Sequence, residues 1–217
     1  MLAVIDYGAG NLRSVLHALR HLGAEDYHLV HDAKDLQGAT RIILPGVGAF
    51  GAGMQQLHKQ GLVEPLKAAL QAGVPYLGIC LGMQFLFAHS DEMGEHAGLD
   101  ILPGYVTRFP ERPGLKVPHM GWNKLDVVKS SPIFDGLAAD SYTYFVHSYY
   151  CIAENRDDVT ATVEYGDPFT VAVQRDNIYG VQFHPEKSQK TGLKLLANFL
   201  QTTQSSQTSF DREASKS

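Results

Sequence analysis

One cysteine in this chain sits where a nucleophile would. The stretch Pro75-Tyr76-Leu77-Gly78-Ile79-Cys80-Leu81-Gly82-Met83-Gln84 is an apolar run that ends on Cys80, framed by Gly78 and Gly82. A strand that turns sharply into a helix needs residues without side chains on either side of the turn, and it exposes the residue at its apex. Backbone N–H groups and the dipole of a following helix favour a thiolate and a developing oxyanion there. The chemistry is acyl transfer through a thioester. A cysteine is also among the most often buried residues, so the competing reading is an inert core thiol before a helix.

A thiol needs a base. The chain has ten histidines, and one of them, His184, follows the strand-like run Ile178-Tyr179-Gly180-Val181-Gln182-Phe183 and precedes Pro185-Glu186. Proline keeps the residue before it extended, and residues two apart in an extended segment share a side. Glu186 is thereby expected to orient His184 and stabilise its charged form, completing a nucleophile–base–orienter arrangement. Alone, His-Pro-Glu is an ordinary loop tripeptide. A third element, Leu44-Pro45-Gly46-Val47-Gly48-Ala49-Phe50-Gly51, also follows a predicted strand. A glycine-rich turn there offers backbone N–H groups, a second oxyanion donor beside the Leu81 N–H, or is simply a turn.

The elements that position these residues alternate at first. Leu2 to Asp6, Tyr27 to Val30, Arg41 to Leu44 and Tyr76 to Ile79 read as strands. Leu12 to Leu22 reads as a helix stopped by Gly23, and Leu57 to Leu70 as a second helix. That alternation predicts an α/β fold with a mostly parallel central sheet flanked by helices. From about residue 99 to 182 the pattern turns strand-like, adding an antiparallel segment; Thr160 to Tyr165 and Phe169 to Gln174 form neighbouring strands around Gly166-Asp167-Pro168. A last helix covers Thr191 to Leu200, so the domain is expected to span residues 1–200. The Ser/Thr/Gln-rich stretch 201–217 reads as a disordered tail. Open α/β sheets place their sites at the carboxyl ends of the strands, where all three motifs fall.

Composition narrows the classes. The 217 residues are 44% hydrophobic and 19% charged, with a net charge of −5 and no basic cluster, which gives no reason to expect nucleic acid or an acidic membrane surface. Two cysteines, Cys80 and Cys151, without a C-x-x-C pair argue against structural zinc and suit a reducing cytoplasm. The apolar start lacks the basic segment of a signal peptide, and no run spans a bilayer. No metal or other cofactor is expected.

Together the motifs resemble those of the class I (triad) glutamine amidotransferases over about residues 1 to 200. Gly78-Ile79-Cys80-Leu81-Gly82-Met83-Gln84 is similar to that family's nucleophile motif, and His184-Pro185-Glu186 to its second motif. Asp6 to Asn11, Pro45 to Phe50, His119 to Asn123, Tyr144 to Tyr149 and His184 to Ser188 narrow the resemblance to the branch that serves imidazole glycerol phosphate synthases as glutaminase subunits. The resemblance implies a flavodoxin-like fold and catalytic roles for Cys80, His184 and Glu186. It implies oxyanion donors at Leu81 and in Gly46-Val47-Gly48, and glutamine contacts from Gln84, Ser148 and Tyr149. It also implies a partner, a (β/α)8-barrel cyclase subunit that consumes the ammonia, met by Asn11, Trp122, Tyr144 and Lys187. Trp122 could equally be a core aromatic, Lys187 a solvated lysine, and Ser148 and Tyr149 ordinary strand ends.

Two other functions compete. Gly8-Ala9-Gly10 after a strand, with Asp32 further on, is a partial dinucleotide fingerprint, but Arg13 occupies the third glycine position and blocks close helix–strand packing. A cysteine hydrolase or peptidase would share Cys80 and His184 and ignore glutamine.

Overall fold

In the computed structural model, which describes residues 1–203, the apolar runs of the first eighty residues become four parallel strands: β1 (Leu2–Ile5), β2 (Tyr27–Val30), β3 (Arg41–Gly46) and β4 (Tyr76–Cys80). Ten further strands follow: β5 (Phe87–Ser90), β6 (His96–Ala97), β7 (Leu102–Arg108), β8 (His119–Lys124), β9 (Asp126–Val127), β10 (Tyr142–His147), β11 (Tyr149–Ala153), β12 (Val159–Tyr165), β13 (Asp167–Arg175) and β14 (Ile178–Val181). The helices are α1 (Leu12–His21), α2 (Phe50–Lys59), α3 (Val63–Gln71), α4 (Leu81–Gln84) and α5 (Gln189–Leu200).

The main sheet runs β2-β1-β3-β4-β14-β13-β11-β7-β5-β6, with β12 on β13 and β9 on β12. β2, β1, β3, β4 and β14 are mutually parallel; β13 then pairs antiparallel with β14, and β11 with β13. β8 and β10 form a separate antiparallel ribbon. Side chains alternate across β1. Leu2 and Val4 pack with Val15, Leu19, Leu195 and Phe199 of α1 and α5, while Ala3 and Ile5 pack with Met54, Leu57, Leu66 and Leu70 of α2 and α3. Apolar residues on both faces are why these strands read as continuous runs rather than as alternations.

Two helical expectations need correction. Leu57 to Leu70 is not one helix. It holds the end of α2 and most of α3, broken at Gly61 (φ +66). The left-handed glycine ends α2, and Pro65 then falls in the first turn of α3, where its missing N–H costs nothing. The helix after the elbow is also a single turn, Leu81–Gln84, before the chain enters β5. A helix of four residues has little macrodipole, so the local N–H groups remain and the long-range dipole does not. Beyond α5, the Arg41 Nε donates to the Thr202 carbonyl (2.8 Å). The rest of the predicted tail, from residue 204, lies outside the described residues. No helix among the described residues is long and apolar enough to cross a membrane.

Candidate active site

Sheet register assembles the site. Gly46 pairs with Cys80 across β3 and β4, and Val181 pairs with Ile79 across β14 and β4. The glycine-rich turn therefore begins beside the cysteine on one side, and the chain leading to His184 emerges on the other. Cys80 has φ +56 and ψ −108, a conformation side chains rarely adopt. The framing glycines allow it: a Cβ at Gly78 would collide with the Gly82 carbonyl, and one at Gly82 with the Leu44 carbonyl. Nothing larger fits at either side of the elbow.

His184 and Glu186 lie behind the cysteine with side chains 2% and 1% exposed. The His184 Nδ1–H donates to the Glu186 carboxylate (2.8 Å), and the Asn11 side-chain amide donates to the same oxygen (3.3 Å). The pairing arises differently from the expectation. His184 is extended, but Pro185–Lys187 is a turn of 3-10 helix that folds the Glu186 carboxylate back onto the ring. Nε2 of His184 makes no conventional hydrogen bond in this geometry and has the Cys80 side chain beside it. Burial disfavours the charged ring, but Cys80 and Glu186 outweigh it and raise the His184 pKa to about 10. The proton that a thiol would give up thus has a ready seat on the imidazole.

Cys80 opens onto a cavity of about 390 Å³, within the range of small-ligand sites. Val47, Gly48, Leu81, Gln84, Ser148 and Tyr149 of the predicted set all line it. Gly46 does not; it sits just behind, packed against the Tyr7 hydroxyl and Leu81. That hydroxyl has no hydrogen-bond partner, and burial followed by the nearby Cys80 pushes its pKa well up. Ser148 is the single residue between β10 and β11, and Tyr149 begins β11. The Gln84 amide is already engaged, donating to the Tyr149 carbonyl (3.2 Å) and to the Gln182 side-chain oxygen (3.0 Å).

The remaining predicted residues gather behind the base. Trp122 is 47% exposed, so it is no core aromatic. It meets Tyr144 edge-on with ring centroids 6.0 Å apart, and the Lys187 ammonium sits 5.9 Å from the centroid of Tyr144. Asn11 joins this patch to Glu186. Asp32, the acid of the partial dinucleotide pattern, instead accepts the Lys34 and Asp35 N–H groups in its own loop (2.8 and 3.4 Å).

Sequence reasoning missed three residues of this site. Glu92 is the only carboxylate lining the cavity, and its Oε2 accepts the Phe50 N–H (2.7 Å) at the start of α2. His147 also lines the cavity. Gln182, fully buried, places its Nε2 3.6 Å from the Cys80 sulfur. The two-residue spacing that selected Glu186 selects Gln182 when it is counted backwards from His184, so a signal for it existed. Glu92 and His147 come from distant stretches and carry none.

Both the sequence and the fold of this chain match known proteins. A family model described as glutamine amidotransferase class-I covers residues 3–202. The chain belongs to that family. Curated relatives carry the name imidazole glycerol phosphate synthase subunit HisH. The protein from Salinibacter ruber is 49% identical over 204 residues, spanning 92% of this chain and 93% of that one. The protein from Methanothermobacter thermautotrophicus is 50% identical over 201 residues, spanning 93% and 98%. Among solved structures, a glutamine amidotransferase crystal structure superposes with a TM-score of 0.71 at 22% identity, covering 91% of this chain and 96% of that one. The structure of PurLQS from Thermotoga maritima gives 0.69 at 22% identity, covering 92% and 96%. At that identity the structural likeness speaks for the fold alone.

Proposed function

We propose that this protein is the glutaminase subunit of an imidazole glycerol phosphate synthase in histidine biosynthesis, acting from one amidotransferase domain, residues 1–200. The observation that carries the reading is the strained elbow at Cys80, with His184 and Glu186 behind it and a cavity in front. Relatives at 49% identity over 92% of the chain supply the pathway. Two free cysteines among the described residues fit a reducing cytoplasm.

Cys80 is the nucleophile, His184 the base and acid, and Glu186 the group that orients His184. With the proton on His184, the Cys80 sulfur attacks the side-chain amide carbon of L-glutamine, and the carbonyl pair moves onto oxygen. The Leu81 N–H and one from the Gly46-Val47-Gly48 turn hold that oxyanion. Collapse breaks the carbon–nitrogen bond, His184 delivers its proton to the departing nitrogen, and ammonia leaves a glutamyl thioester. Water, giving its proton to His184, attacks the thioester and releases glutamate. Ser148 and Tyr149 hold the α-carboxylate end, with Gln84 beside them. Glu92, the one acid on the cavity wall, takes the α-ammonium.

Free ammonia in neutral water becomes ammonium, a poor nucleophile, so the product must pass directly to a second subunit. That partner is a (β/α)8-barrel cyclase, giving a heterodimer that makes imidazole glycerol phosphate and an aminoimidazole carboxamide ribotide. Asn11, Trp122, Tyr144 and Lys187 form its seat; an exposed tryptophan beside a tyrosine–lysine stack is a composition favoured at interfaces. Glutamate release is the test, measured with and without the cyclase and its nucleotide ligand, for wild type and Cys80→Ala. Release that requires Cys80 and rises with the cyclase is the expected outcome. Turnover of esters or peptides with indifference to glutamine would replace this reading with a cysteine hydrolase.

A further inference from the structure

Gln182 is fully buried directly after β14, with its backbone N–H on the Val171 carbonyl (2.8 Å). Its side chain lies between Gln84 and the Cys80 sulfur. An amide can present either an oxygen or a nitrogen, and here the surroundings decide which. The Tyr149 carbonyl can only accept, so the Gln84 atom 3.2 Å from it is nitrogen. That same nitrogen lies 3.0 Å from Gln182, so the Gln182 atom facing it is oxygen. The Gln182 nitrogen then points at the Cys80 sulfur, 3.6 Å away. A chain of three groups anchored on a backbone carbonyl thus delivers an N–H to the nucleophile.

We infer that Gln182 is a further catalytic residue, a hydrogen-bond donor that holds the Cys80 sulfur as a thiolate. An N–H directed at sulfur favours S⁻ over S–H, since a thiolate accepts that hydrogen bond strongly and a thiol sulfur only weakly. The single turn of α4 leaves room for this role, because so short a helix cannot supply a full dipole. The donor acts twice. It steadies the thiolate before attack. When water has added to the thioester and the intermediate collapses, the carbon–sulfur pair returns to sulfur, and the same N–H stabilises the departing thiolate. Between those events the sulfur is a neutral thioester, and the bond contributes little. The gain is therefore specific to charge on sulfur: it favours forming the thiolate from the thiol, and its departure from the intermediate, over the neutral thioester between them.

The inference rests on Cys80 being the nucleophile, and the experiment separates the two. Alkylation of Cys80 by iodoacetamide at pH 7, followed by mass spectrometry without glutamine, is compared in wild type, Gln182→Leu and the equally sized Gln182→Glu. Both variants should alkylate Cys80 about 10- to 100-fold more slowly, the effect of losing a hydrogen bond to a charged group. Cys151 alkylation and the melting temperature should stay unchanged. In Gln182→Glu, whose carboxylate still accepts from the Gln84 amide, the kcat for glutamine should fall with KM within about threefold. In the wild-type protein, the side-chain amide resonances of Gln182 should shift when Cys80 is alkylated. Alkylation within twofold of wild type overturns the inference, as does an amide signal that ignores Cys80 modification. Slower Cys80 reaction accompanied by a lower melting temperature and a newly reactive Cys151 reduces Gln182 to a packing residue and also overturns it. A wild-type Cys80 that does not react at all defeats the proposed function itself.

Discussion

His184 and the His119–His147 pair are all buried, at 1%, 3% and 7% exposure, yet their surroundings push them in opposite directions, His184 towards the charged ring and the pair towards the neutral one. Near the elbow, Glu186 and Cys80 overcome burial and raise His184 to about 10. On the β8–β10 ribbon no carboxylate opposes burial, which lowers His119 to about 4 and, outweighing the hydrogen bond to the Tyr149 carbonyl, lowers His147 to about 3. The hydrogen bonds explain the second case atom by atom. The Tyr149 carbonyl accepts at 2.8 Å, so His147 carries its proton on Nδ1. Its Nε2 is then an acceptor, which makes the His119 Nδ1 at 3.1 Å the donor. The His119 Nε2 in turn faces the Asn123 amide at 3.4 Å. Both rings are satisfied when neutral, and an added proton would set two N–H groups face to face. Burial therefore does not fix the charge of an imidazole; the partner does, and a carboxylate partner marks the site that moves protons.

The comparison breaks most sharply at its carboxylate. Glu186→Gln removes the charge that separates His184 from His147, so turnover should fall about 10²-fold while Cys80→Ser falls at least about 10⁴-fold. The His184 titration, followed by NMR, should move down from about 10 towards the range of the neutral pair. Equal losses in the two variants would remove Glu186 from its orienting role.

A smaller effect concerns stability, and the two regions give it opposite slopes. The folded pKa values of His119 and His147 lie below the free value, so as pH falls below about 6.5 the unfolded chain takes up protons that the fold refuses. Stability should drop towards about pH 4 by about 2 kcal/mol more than in His147→Gln. His184 is raised, so its contribution is complete below about pH 6.5 and is lost as pH climbs through about 10. Urea unfolding at pH 4.5, 6.5 and 9.5 should place the maximum between the two flanks, and Glu186→Gln should flatten the alkaline one. A wild-type curve unchanged by either substitution would erase the distinction.

The mildest expectation extends the contrast to the two thiols. Burial and then the proximity of Cys80 push the fully buried Cys151 thiol well up, and it does not line the cavity onto which Cys80 opens. Iodoacetamide should label Cys80 about tenfold faster below pH 8. Equal rates after unfolding is excluded would deny Cys80 an activated setting.

The parallel half was legible because its chemistry is local. β2 falls at Tyr27–Val30 as read, and the elbow glycines declared a turn that the Cys80 conformation displays. The errors also have local causes. Gly61 is a left-handed break that a helical period does not register, and the helix expected after the elbow is one turn long because the apolar residues beyond Gln84 enter β5. What stayed invisible depends on pairing at a distance. His119 and His147 meet because β8 and β10 align them across 28 residues, and Glu92 reaches α2 across 42. No periodicity encodes such meetings; only the topology does.

β14 lies between β4 and β13, although β4 left the chain a hundred residues earlier. During synthesis the cysteine elbow therefore emerges long before the strand that brings the histidine beside it. Until that strand inserts, the edge of β4 stays open and its thiol has no base. A chain that stops before β14 thus lacks the juxtaposition on which the proposed glutaminase rests, and the site is assembled only with the closing of the sheet.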